Sequence, residues 1–146
     1  MAHEIGHYVL NHIYKQLVFF TLLLVGGFAF LKWAGDRVLA RWGKRLGLRD
    51  VADAAAMPLM VALLSVYMLL ATPLVNTVIR VAEQEADMFG LNAAAEPDGF
   101  AEVGLKLSEY RKVDPGPIEE WLMFDHPSPR NRIYAAMRWK AEHPKP

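Results

Sequence analysis

Two long apolar runs organise the chain. The first, 16–31, holds sixteen residues without a charge, and counting on to Gly35 gives twenty. That is enough helix to cross a hydrocarbon core of ~30 Å. Gly26-Gly27 inside it is tolerable in a membrane helix and costly in a soluble one. The second run, 54–79, has twenty-six uncharged residues, with Pro58 and Pro73 near its two ends, where a kink is least disruptive. The pair predicts a transmembrane hairpin over 16–79 that begins and ends on the same side of a membrane; the alternative for the first run is a buried core helix. Between them, 32–53 changes character. Lys32 can snorkel and Trp33 can sit at headgroup level. Val38, Leu39, Trp42 and Leu46 fall at helical spacing among Lys and Arg, which fits a short interfacial helix on anionic lipid or, almost as well, an amphipathic connector with a solvated basic face.

The flanks read as helices too. Residues 2–15 form one, with Ile5, Tyr8, Val9 and His12 continuing around it. Beyond Arg80 a helix over 79–92 ends at Gly90 or Asn92, and Asp98 caps another at 99–111. Asp114-Pro115-Gly116-Pro117 is a turn, 118–123 a short helix, and Asp125-His126-Pro127-Ser128-Pro129 a constrained loop. That loop feeds a last helix over 130–142, followed by a tail over 143–146 without fixed structure. No stretch alternates as a strand does. The expected fold is all-α in three parts: helix 1–15, hairpin 16–79, and a helical domain over 80–146.

Composition narrows the chemistry. Of 146 residues, 53% are hydrophobic and 22% charged, with a mean hydropathy of +0.13, high for a soluble domain. Sixteen basic residues balance sixteen acidic ones, so no global field points to nucleic acid. There is no cysteine, which removes disulfides, thiolate metal ligands and cysteine nucleophiles together. Any zinc site must use His and carboxylate. The N-terminus lacks the basic, apolar and small-residue sequence of a signal peptide.

Against that background His3-Glu4-Ile5-Gly6-His7 stands out as H-E-x-x-H. On a helix His3 and His7 share a face and can bind one Zn²⁺, while Glu4 is placed to act on water as general base. Such a centre needs a third protein ligand and an open position. A metzincin arrangement would put glycine at 10 and histidine at 13, where this chain has Leu10 and Ile13. His12 is therefore read as packing or as a support behind the ligands. The other arrangement takes a carboxylate from a second helix, and the one after the hairpin offers Glu83, Glu85 and Asp87. Glu83 and Asp87 share a face and Glu85 lies roughly opposite.

H-E-x-x-H, a hairpin, E-x-x-A-D (Glu83, Ala86, Asp87) and H-P-x-x-x-x-R (His126, Pro127, Arg132), in that order, resemble the CAAX prenyl endopeptidases, integral-membrane gluzincins with the HtpX-type heat-shock proteases as more distant relatives. The resemblance covers most of the chain, and the segment EEWLMFDHPSPRNRI sits closer to the prenyl branch. It implies a zincin-type helical domain with Zn²⁺ held by His3, His7 and Glu83. Glu4 would be the base, and Asp87 a supporting carboxylate paired with Arg132. His126 would donate to the oxyanion from a proline-bounded loop, a rigid donor of the kind that chemistry favours. Arg130 is read as solvated, and His143 has no assigned role. Implied partners are a peptide or protein substrate, prenylated or membrane-associated, and membrane lipid. The implied location is a bacterial inner or endoplasmic-reticulum-type membrane, crossed several times.

Two features depart from that pattern. Family members carry further membrane helices before the H-E-x-x-H segment, so the chain is expected to be the C-terminal portion of a longer protein. By itself it is expected to bind zinc weakly and cleave little, and the rival reading is a non-catalytic remnant. The second departure is topological. Six basic residues against three acidic over 32–53 would place that loop in the cytoplasm by the positive-inside rule. The resemblance places the metal side there instead, and that is the expected orientation.

Overall fold

A computed structural model describes residues 1–110 and 112–144. They form α1 (Ala2–Val9), α2 (His12–Leu46), a single 3₁₀ turn (Ala54–Ala56), α3 (Met57–Ala94), α4 (Pro97–Leu107), a second 3₁₀ turn (Ser108–Tyr110), α5 (Pro117–Met123) and α6 (Pro129–Glu142). No strand occurs among the described residues, so the fold is all-α, as the sequence predicts. The expected helix to 111 stops at Leu107, with Arg111 outside the described residues, as are Lys145 and Pro146 of the tail. The chain divides into two compact units: 17–72, and 1–16 with 73–146.

The first unit holds the hairpin. Helices α2 and α3 run 35 and 38 residues, so at 1.5 Å per residue each is ~50 Å or longer, well beyond a bilayer core. Both are long and apolar enough to cross a membrane, and only 11% of each apolar window is buried within the chain. Leu22, Phe28, Leu69 and Leu70 are each about two-thirds exposed or more. A core helix of a soluble protein would bury these side chains. The hydroxyls of Thr21, Ser65 and Thr72 each donate to a carbonyl four residues back, so none needs water. Gly26-Gly27 also has a packing reason. A Cβ on Gly27 would lie 3.1 Å from the Tyr67 ring, and Tyr67 donates its hydroxyl to Leu23 O at 2.6 Å.

The stretch 32–53 differs from expectation. Its basic half is no separate helix but the continuation of α2 to Leu46, ended by Gly47 at φ +69°. Nothing between Leu31 and Leu46 breaks the ladder. Lys32 and Asp36 pair at 2.6 Å, and Arg37 lies 4.8 Å over Trp33.

In the second unit α4 packs on α6 around Leu91, Ala101 and Ala136, with Phe100, Ile133 and Trp139 closing the cluster. Several helix boundaries there depart from the sequence reading, and the expected helix over 79–92 is no separate element but the end of α3. The first helix breaks at Leu10, because Asn11 takes φ +56°, a conformation asparagine tolerates, and α2 restarts at His12. Helix α3 ignores Gly90 and Asn92 and runs to Ala94, where Ala95 at φ +51° ends it. Gly90 is instead a contact point for α1, since its Cβ would lie 3.3 Å from the His3 nitrogen. Asn92 accepts a bond from Trp139 Nε1 at 2.7 Å. Asp98 lies inside α4 rather than capping it and pairs with Lys140 at 2.7 Å.

Candidate metal centre

Helix α1 presents His3 and His7 one turn apart, with their Nε2 atoms 3.1 Å from each other. Helix α3 presents Glu83 to both: Oε2 is 3.4 Å from His3 Nε2 and Oε1 is 3.4 Å from His7 Nε2. Tetrahedral zinc with bonds of ~2.0–2.1 Å spaces its donors ~3.3–3.4 Å apart. The three side chains thus stand close to the separations one small cation would impose, with Glu83 facing each histidine through a different oxygen. Asp87, one turn past Glu83 and buried, sets its Oδ1 2.8 Å from His3 Nδ1. A proton on that Nδ1 leaves Nε2 with a lone pair aimed at the centre. Arg132 from α6 ties the two carboxylates together, with Nε 2.8 Å from Asp87 Oδ2 and Nη2 3.2 Å from Glu83 Oε2.

The electrostatics favour positive charge here. Hydrogen bonds to Asp87 and Glu83 push the His3 pKa up to about 9. His7, by contrast, is lowered by burial, partly offset by Glu83. The metal-free cluster therefore keeps a proton on His3, facing His7 and Glu83, and a metal ion would displace it.

The two helices can approach this closely because small residues line their crossing. A Cβ on Gly6 would lie 3.2 Å from Ala86 Cα and 3.1 Å from Phe89 Cδ1. Gly6→Val is thus expected to push α1 off α3, costing about 1–3 kcal/mol and lowering zinc affinity with it. Gly6→Ala should cost visibly less. Thermal midpoints and zinc titrations of both variants check this, and a Gly6→Val protein with parental zinc affinity would contradict it.

His126 also reaches Glu83, its Nε2 3.5 Å from Glu83 Oε2 and its Nδ1 2.9 Å from Asp125 Oδ1. Its loop is held at both ends. Asn76 donates to Leu122 O at 2.7 Å, and Arg80 Nη1 to Phe124 O at 2.6 Å and Glu120 O at 3.1 Å. The Glu120 carboxylate accepts from Ser128 N and from the Asn131 amide, both at 2.9 Å. Pro127, Ser128 and Pro129 are buried, and Ser128 caps α6. Asn76, Arg80 and Glu120 were not singled out from sequence. The only signal was a lone amide at the end of an uncharged run and the arginine that closes it.

A cavity of about 570 Å³ opens over the cluster. His3, His7, Glu83, Asp87 and His126 line one part, Phe100, Val103 and Leu107 of α4 another, and exposed Glu4 faces into it beside His3 and His7. The residues expected outside the centre are outside it. Glu85 turns away to His12 and Lys15, at 2.9 Å and 3.3 Å. Arg130 pairs with Asp114 at 2.7 Å, both about two-thirds exposed. His143 stacks on Trp139, ring centroids 4.3 Å apart.

Comparison with known proteins gives a relative and a family. The chain is 30% identical over 138 residues to the uncharacterized metalloprotease YhfN of Bacillus subtilis (strain 168). The match takes in 93% of this chain and 32% of that relative, so the chain spans about a third of its length. No solved structure matches the chain. The description of peptidase family M48 matches residues 1–140, which include the H-E-x-x-H helix, the hairpin, Glu83 and the His126–Arg132 segment. The chain belongs to peptidase family M48.

Proposed function

We propose that this chain carries the centre of a zinc-dependent endopeptidase embedded in a membrane, acting on membrane-associated substrates. The observation that carries the reading is the donor set His3 Nε2, His7 Nε2 and Glu83, with mutual separations of 3.1–3.4 Å and a cavity above it. Two imidazoles and one carboxylate, with a fourth position left open, is a catalytic rather than a structural zinc set. When bound, the metal polarises the scissile carbonyl and makes water acidic enough to attack at neutral pH. The remaining work belongs to the chain. Glu4 takes the proton of the attacking water and passes it to the leaving amine. His126 donates to the oxygen that gains negative charge. Asp87 holds the tautomer of His3, and Arg132 keeps Glu83 and Asp87 in register.

The two apolar helices support an integral, multi-pass protein of a bacterial inner or endoplasmic-reticulum-type membrane. The apolar wall of the cavity, Phe100, Val103 and Leu107, supports an apolar group next to the scissile bond. A prenylated C-terminal CAAX peptide and an unfolded membrane segment, as in HtpX-type quality control, both supply one. Metal analysis tests the core of the reading. About one zinc per chain is expected at saturating zinc, lost in Glu83→Ala and retained in Glu85→Ala. A parent chain without zinc would sink the enzyme reading in favour of a non-catalytic membrane protein. Cleavage of a farnesylated CAAX peptide, set against an unmodified transmembrane peptide, then separates the two substrate classes.

A further inference from the structure

His12 lies behind His7 and reaches a carboxylate of its own. Its ring is 2% exposed, and both nitrogens are engaged: Nδ1 is 2.9 Å from His7 Nδ1, and Nε2 is 2.9 Å from Glu85 Oε2. The His7 and His12 rings meet edge to face, centroids 4.9 Å apart. Glu85 is half-exposed and also accepts from Lys15 Nζ at 3.3 Å.

The direction of each bond follows from the Glu85 end. An ionised carboxylate only accepts, so His12 must carry its proton on Nε2. The His12 Nδ1 of a neutral ring is then an acceptor. His7 must donate to it from Nδ1, which leaves the His7 Nε2 lone pair facing His3 and Glu83. The opposite arrangement, a proton on His12 Nδ1, would force the His7 proton onto Nε2 and block a metal. Asp87 does the same for His3 in one step rather than two.

Resting on the reading of His3, His7 and Glu83 as a metal site, we propose that His12 and Glu85 are positioning residues, a relay that fixes the tautomer and ring orientation of His7. Neither touches the metal or the substrate. The break at Asn11 serves this arrangement, since it lets α2 restart with His12 turned back towards His7. Supports of this kind commonly change metal affinity about 10- to 100-fold.

The test uses the purified full chain and Zn²⁺ alone. Competition with a chromogenic chelator should show His12→Leu binding about 10- to 100-fold more weakly than the parent. His12→Asn puts an amide oxygen near the position of Nδ1 and should recover much of the loss. Glu85→Leu should weaken binding less than His12→Leu, and Glu85→Gln, which keeps an acceptor, least. Nitrogen-15 NMR of the zinc-loaded parent should find His12 protonated on Nε2 and not on Nδ1. A His12 proton on Nδ1 would overturn the relay. So would unchanged affinity in His12→Leu, or equal losses in His12→Leu and His12→Asn, which packing alone would produce. If His12→Leu fails to fold, the Glu85 pair and the tautomer measurement still decide. A parent that takes up no zinc overturns the metal reading and this inference with it. A parent that binds zinc while the variants match it overturns this inference alone.

Discussion

Glu4→Gln is expected to remove peptide cleavage by about 10²- to 10⁴-fold while leaving zinc uptake at the parental level. The split follows from where Glu4 stands. It lies next to His3 on α1, exposed in the cavity, outside the donor set of His3, His7 and Glu83. An amide is close in shape to a carboxylate and cannot accept the proton of the attacking water, so the metal contacts survive and the proton transfer does not. Zinc per chain and kcat on a quenched peptide, measured on the same preparation, check both halves. Activity within a few-fold of the parent would remove Glu4 from the role of base. Loss of zinc together with activity would mean that Glu4 supports the fold of α1 instead.

How much of this was legible from the chain depends on how local each signal is. The hairpin is local, since uncharged runs of such length declare themselves without tertiary information. The spacing of His3 and His7 is local too, because a helix puts them on one face. What spacing alone could not supply is the pairing across the hairpin, which only the family resemblance implied. Glu83, Glu85 and Asp87 lie within five residues, and which of them meets α1 is decided by helix packing at Gly6, Ala86 and Gly90. Helical spacing places Glu85 opposite Glu83, yet that face is not idle, because Asn11 breaks the first helix and returns His12 to it. A positive φ at a single asparagine leaves no periodicity to read. The anchors of the His126 loop were hidden for a related reason. Asn76 and Arg80 act through backbone carbonyls of 120–124, and a carbonyl carries no residue identity.

The second large effect concerns charge rather than chemistry. Glu83 and Asp87 are only 13% and 7% exposed, and Arg132, itself 16% exposed, contacts both. In the metal-free protein their positive partners are Arg132 and the proton on His3. Arg132→Leu removes one of them and leaves the buried Asp87 and the part-buried Glu83 carboxylates facing one histidinium. A loss of about 3–5 kcal/mol is expected, on the order of ten degrees in thermal midpoint. Saturating zinc should recover part of it, because a divalent ion at His3, His7 and Glu83 supplies the missing positive charge next to the same carboxylates. Arg132→Lys should fall in between, since an ammonium restores the charge without the fork that spans Glu83 and Asp87. Melting curves of parent and both variants, with and without zinc, read this directly. An Arg132→Leu loss that zinc leaves unchanged would show that the arginine stabilises α6 by packing and not by neutralising the metal carboxylates.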